Sequence, residues 1–247
     1  MLKNITFLLK EKMESTDGIS PEDTLIITDD LSLYRQYEKC GFALLYVDNS
    51  DEFAEGVKYV TDSAENLEWD YLDEVFCRQR GIPLRILETE RTYVREMCET
   101  DIDALYELYD DELIGKYVEP LYEYEEELKY IRDYVHNRYE FYGFGMWLVF
   151  ENTTDKLIGR AGIDIREVDG ETEPELGYII GKDYRRQGYA TEICQAIAAY
   201  AKSHFGMRKL NIMIGKDNQP SMGLAHKLGA HKAFETDDIY GYILEIR

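Results

Sequence analysis

The stretch from Glu175 to Ala201 constrains this chain more than any other. Leu176 to Ile180 is short and apolar, the pattern of a buried strand. Arg185, Arg186 and Gln187 then lead into Gly188. After it Ala190, Ile193, Cys194, Ile197, Ala198 and Ala201 recur at helical spacing. A strand, a basic glycine-containing turn and a long helix make an anion site. The first helical turn leaves backbone N–H groups unpaired, and the helix dipole adds partial positive charge beside them. Gly188 lets the backbone approach a phosphate closely, and the arginines add charge.

Arg185-Arg186-Gln187-Gly188-Tyr189-Ala190 resembles the Arg/Gln-x-x-Gly-x-Gly/Ala turn of the GNAT superfamily of N-acetyltransferases. It is preceded by Glu-Leu-Gly-Tyr-Ile-Ile-Gly and followed by the long apolar-faced helix. The resemblance implies acetyl-CoA as cosubstrate. Its pyrophosphate would lie on Arg185, Arg186, Gln187, Gly188, Tyr189, Ala190 and Thr191, and its pantetheine along Tyr178, Ile179 and Ile180. Backbone N–H groups from Tyr178 to Ile180 would also serve the oxyanion.

The rest of the second half fits the same order. A strand is expected over Arg91–Met97, and a helix from Thr100, as N-cap, to Tyr109. A second helix is expected over Leu128–Phe141. Strands follow at Met146–Phe150, Leu157–Ile165 and Leu176–Ile180, and another at Leu210–Ile214 after the long helix. A helix from Gln219 or Pro220 to Leu228 and strands near Lys232–Glu235 and Tyr240–Ile246 close the chain. The resemblance covers about Thr89 to Arg247 and implies a GNAT fold, a mixed, mostly antiparallel sheet flanked by helices.

Asn218-Gln219-Pro220-Ser221 is an ordinary helix cap by itself. It is also similar to the Asn-x-x-Ser motif of the ribosomal-protein N-acetyltransferase branch. That likeness implies that Asn218 bonds pantetheine and that Ser221 lies near the CoA sulfur, where a hydroxyl can reprotonate the thiolate. Many relatives place a tyrosine acid seven residues after the Asn; here that residue is Ala225, and the neighbouring His226 is expected at the surface. Without a tyrosine there, a non-catalytic acyl-CoA-binding module is the alternative to an enzyme. Amine acetylation needs a base, and Glu175 is either that base or an exposed strand acid. The acidic, tyrosine-rich segment from Asp110 to Tyr130 is either a border of the acceptor site, suited to a cationic amine, or a solvated helix face. A small-molecule amine or a protein N-terminus is the expected acceptor, and a homodimer is compatible with the pattern.

The formal charge of −22 and a sequence pI near 4.5 exclude a non-specific nucleic-acid binder, which needs a basic face. The four cysteines are scattered without metal spacing, so no metal is expected. No secretory leader and no membrane-length apolar run is seen, so the expected compartment is the cytoplasm.

The first third reads as a separate small parallel α/β domain, Rossmann-like in pattern. A helix is expected over residues 1–15, strands at Thr24–Thr28, Phe42–Val47 and Val57–Val60, and helices at Leu31–Lys39 and Trp69–Arg80. Gly81-Ile82-Pro83 marks the joint, giving domains 1–85 and 86–247. A strand ending in Asp29-Asp30, then a helix, Gly41 and an apolar strand resemble part of a haloacid-dehalogenase-type phosphatase domain. The Asp-x-Asp-x-Thr nucleophile motif is absent, so no phosphatase activity is expected, and Asp29 is expected to cap the helix at Leu31.

Overall fold

The computed structural model describes residues 2–48, 54–168 and 171–246, with the side chains of Val168 and Glu171 set aside. Backbone contacts divide the chain into two units, Met1–Leu84 and Arg85–Arg247.

The first unit contains β1 (Asn4–Leu9), β2 (Lys12–Met13), β3 (Thr24–Thr28), α1 (Leu31–Lys39), β4 (Ala43–Val47), β5 (Val60–Thr61) and α2 (Trp69–Arg80). Its sheet runs β2-β1-β3-β4-β5 and is parallel except for the β1–β2 hairpin. Covered on both faces, β3 is buried at every residue, as a parallel central strand must be. Leu25 and Ile27 pack with α2 through Leu72, Val75 and Phe76, while Ile26 packs with Tyr34 of α1.

The helix expected over residues 1–15 is instead β1 and β2. Leu2, Ile5, Leu8 and Leu9 satisfy both a helical stripe and two strand faces. The open edge of β3, which β1 fills in parallel register, selects the strand. The strand expected at Val57–Val60 is confined to Val60–Thr61. Asp30, not Asp29, caps α1, accepting the N–H groups of Ser32 and Leu33 at 2.7 and 3.1 Å. Asp29 instead accepts the Lys10 N–H at 3.0 Å and so ties the end of β1 to that of β3.

The second unit begins with β6 (Arg85–Glu88) and β7 (Thr92–Arg95), then α3 (Ile102–Tyr109), α4 (Glu112–Tyr117) and α5 (Tyr124–Tyr134). A π-helical turn over Val135–Tyr139 leads into α6 (Glu140–Tyr142). There follow β8 (Met146–Glu151), β9 (Leu157–Val168), β10 (Glu171–Ile180), α7 (Tyr189–Phe205), β11 (Lys209–Gly215), α8 (Gln219–Leu228), β12 (His231–Glu235) and β13 (Ile239–Glu245). The sheet order is β12-β13-β11-β10-β9-β8-β7-β6, antiparallel except for β10 beside β11. The architecture is thus mixed α/β with a mostly antiparallel sheet.

Ile193, Cys194, Ile197 and Ala201 of α7 are buried in the core of this unit, and Tyr200 meets Trp147 of β8 edge-on at 5.8 Å. Tyr109 of α3 and Tyr134 of α5 reach the sheet at Arg160 of β9. Thr100 does not cap α3. Asp101 does the local bonding, accepting the Cys98 N–H at 2.8 Å while both its oxygens hold the Arg95 guanidinium.

Candidate functional site

Strands β10 and β11 are joined at one rung, Glu175 opposite Asn211. Past it, β10 stays with β9 as far as Ile180 opposite Gly159, and β11 stays with β13 as far as Gly215 opposite Ile239. The two parallel strands therefore part, and each turns an unpaired backbone edge into the gap. The Gly181 N–H is donated to the Ile158 carbonyl on the β9 side at 2.9 Å. By strand alternation the N–H of Ile179 also faces β9, while those of Tyr178 and Ile180 face the gap. Of the three pantetheine candidates, Tyr178 and Ile180 thus offer donors there, and Ile179 does not.

The turn after β10 has the geometry of an anion cradle. Arg186 is left-handed at φ 60°, and Gly188 has φ 89°. Gly188 caps α7 without any side-chain acceptor, so the leading N–H groups of this 17-residue helix are open. A Cβ at position 188 would sit 3.4 Å from the Arg91 guanidinium. That guanidinium donates to the Gln187 carbonyl at 2.9 Å and pairs with Glu192 at 2.6 Å. The one acid in the first turn of α7 is therefore neutralised. Burial pulls the Glu192 carboxyl upward, but hydrogen bonds from Thr89 and Arg91 hold it below the ordinary glutamate range.

The residues of the basic turn do not act alike. Arg185 is committed: its Nε donates to the Ile180 carbonyl at 2.9 Å, and its guanidinium pairs with Asp111 at 2.7 Å. Arg186 and Gln187 are exposed, the latter with its side-chain amide on the Asp183 carbonyl at 2.6 Å. Tyr189 points its ring into the core, its hydroxyl 3.0 Å from Glu151, so only its backbone reaches the cradle. Ala190 and Thr191 complete the first turn, partly buried.

A short helix spans the mouth of the gap. Asp111 caps α4 through the N–H groups of Leu113 and Ile114 while holding Arg185, which follows β10. At the other end Lys116 pairs with Asp217, which follows β11, at 2.5 Å, and the Tyr117 hydroxyl donates to the Asp217 carbonyl at 3.3 Å. Neither Asp111 nor Asp217 was singled out from the sequence. Their signal is tertiary: single acids whose partners lie 74 and 101 residues away.

Asn218 caps α8, its side-chain oxygen accepting the Ser221 N–H at 3.2 Å. Tyr178 donates its buried hydroxyl to the Ser221 carbonyl at 3.4 Å, which brings β10 and the Asn-x-x-Ser turn together. Ala225 is buried; His226 is exposed, with its ring 5.5 Å from that of Tyr242. Glu175 sits at the last shared rung, within the strand and not at its start, and its carboxylate pairs with Arg166. Burial raises its pKa, helped by Asp164 and opposed by Arg166. Among the described residues no cluster of His, Cys, Asp and Glu could hold a metal ion, and no helix is long and apolar enough to cross a membrane.

Residues 91–231 match the family model for the acetyltransferase (GNAT) domain. The uncharacterized N-acetyltransferase YoaA of Bacillus subtilis (strain 168) is 26% identical over 149 residues, covering 60% of this chain and 83% of the relative. Two solved structures share the fold. An acetyltransferase (GNAT family) from Bacillus anthracis has a TM-score of 0.54 at 21% identity, covering 66% of this chain and 98% of that one. The ribosomal-protein-S5-alanine acetyltransferase from Vibrio fischeri has a TM-score of 0.52 at 13% identity, covering 65% and 96%.

Proposed function

This chain belongs to the acetyltransferase (GNAT) family, and on that premise we propose that its second unit transfers an acetyl group from acetyl-CoA to a primary amine. The observation that carries the reading is the joint placement of an uncapped α7 beside the gap between β10 and β11. One binds a pyrophosphate and the other admits an extended arm that ends at a thioester. The open N–H groups of α7 and the exposed Arg186 suit the phosphates, with Arg185 bracing the turn. Tyr178 and Ile180 offer backbone N–H groups to the arm and to the oxygen that gains charge as the amine attacks.

Bound acetyl-CoA would supply the activated acetyl group. The amine nitrogen forms a bond to the thioester carbon, the C–S bond breaks, and the amine loses a proton. Glu175 is the base in this reading, directly or through a water, and its raised pKa suits that task. Ser221 returns a proton to the sulfur, with Asn218 holding its turn. The acceptor is a small-molecule amine or a protein N-terminus, and the compartment is the cytoplasm. The first unit serves as a recognition or packing module without phosphatase activity.

Gly188→Glu tests the premise. A side chain and a negative charge at the cradle should abolish acetyl-CoA binding by calorimetry in a variant whose circular dichroism is unchanged. Unchanged affinity would overturn the assignment of the site. The non-catalytic alternative predicts full acetyl-CoA binding with no transfer to any amine in a broad panel.

A further inference from the structure

Arg160 of β9 faces α3 and α5 on the side of the sheet that carries Glu175 and Ile179, with which it shares the β9–β10 ladder. It is ringed by phenols. Its guanidinium donates to the Tyr109 hydroxyl at 3.2 Å, lies 5.9 Å from the Tyr134 ring centre and has Tyr130 beside it. Its Nε is shielded from solvent and has no acceptor among the described residues. Among the described residues it pairs with no carboxylate. The other partly buried arginines of this unit each hold one: Arg91 has Glu192, Arg95 has Asp101, Arg138 has Asp164 and Arg185 has Asp111.

The chain has no shortage of acids, with 50 Asp and Glu against 28 Lys and Arg. Two acids whose charge is felt at Tyr130 are engaged elsewhere, Asp164 with Arg138 at 2.7 Å and Glu127 with the Tyr122 N–H at 3.0 Å. Neither Tyr134 nor Tyr130 neutralises the cation as a phenolate, since burial pushes Tyr134 up to about 12 and raises Tyr130 as well. A shielded cation without an anion is costly, so the fold has left a charge for something else to satisfy.

We propose that Arg160, within the Tyr109–Tyr130–Tyr134 ring, binds the carboxylate of the acceptor, so that the acceptor is a free amino acid or a close amino-carboxylate. The proposal rests on the reading that this face takes the amine. One guanidinium can give a carboxylate two parallel hydrogen bonds, and the tyrosine hydroxyls can donate to it as well. Arg160 is one strand, roughly 5 Å, from Ile179 beside the gap, which is within reach of the two ends of an α-amino acid. Neither a polyamine nor a protein N-terminus carries a carboxylate there.

The test compares L-amino acids, their C-terminal amides and phosphoethanolamine as acceptors, followed by thiol release from acetyl-CoA. Wild type should favour the acids. Arg160→Met should lower kcat/KM for them about a hundredfold, leave the amides unchanged and leave acetyl-CoA affinity intact. Arg160→Lys should recover part of the loss. Amides used as well as acids, or equal loss on both, would overturn the proposal, and preference for phosphoethanolamine would replace the carboxylate by a phosphate. Thermal shift supplies a readout free of turnover: the preferred amino acid should raise the Tm of wild type but not of Arg160→Met, while its amide raises neither. Acetyl-CoA binding without transfer to any amine would defeat the catalytic reading alone; absence of that amino-acid shift would defeat the carboxylate site. A folded Arg160→Met whose apo Tm is at least that of wild type is expected. A large fall in Tm would mean that the guanidinium serves the fold and not a ligand.

Discussion

Glu175 has two properties that a catalytic base needs and one that restrains it. It is half-buried at the rung where β10 and β11 separate, and burial moves its pKa above the ordinary glutamate range. The restraint is Arg166, a half-exposed partner. A base is active when deprotonated. The acidic limb of the kcat/KM profile should therefore rise with pH, with its midpoint above that of a free glutamate. Glu175→Gln should flatten that limb, lower turnover by roughly a hundredfold and keep acetyl-CoA affinity. A variant with the wild-type profile would remove Glu175 from the mechanism. The sign for stability is opposite. A raised folded pKa means that the protonated form favours the fold, an advantage present below the unfolded pKa and lost as pH rises through the folded one. Keeping this residue ionised at neutral pH is thus a cost that the fold carries.

Among the elements, α4 is the one whose role depends on its two ends. Its N-cap Asp111 holds the turn after β10, and its last residues hold Asp217 after β11. The first anchor is the stronger. Asp111 is nearly buried, and although burial raises its pKa, Arg185 and the N–H groups of Leu113 and Ile114 bring it below the usual range. Lys116 and Asp217 are both more than half exposed, so their pair contributes little. Asp111→Ala should therefore loosen α4 from the N-terminal side. It removes a cap worth about 1 kcal/mol and frees Arg185. Hydrogen exchange at the Leu113 and Ile114 amides should quicken while α7 stays protected. If α4 exchanges as in wild type, Asp111 is not its anchor. The same acid-rich segment shows why a one-dimensional reading stops. Its charges suggested either a solvated face or an acceptor border, and the structure commits one of them, Asp111, to Arg185 far along the chain.

At the scale of the molecule, each unit has its own buried core: Leu25, Leu45 and Phe76 in one, Trp147, Ile193 and Leu210 in the other. Residues 85–247 expressed alone should fold and bind acetyl-CoA with the affinity of the full chain, measured by calorimetry. A lost or tenfold weaker interaction would mean that the first unit contributes to the site. Much of this organisation was legible beforehand. The long helix, the strand before it and the caps at Gly188 and Asn218 follow from local rules: apolar spacing, a glycine at positive φ and an Asx cap before proline. These are short-range, so the sequence by itself determined α7, α8 and the succession of strands from β7 to β13, but neither β6 nor α4. It did not determine β1, because Leu2, Ile5, Leu8 and Leu9 suit helix and strand alike until β3 offers an edge. Nor did it determine which arginine of the turn is committed, or that Arg160 lacks an acid. Ion pairing depends on distances of a few ångströms between residues tens of positions apart, and only the folded sheet brings them that close.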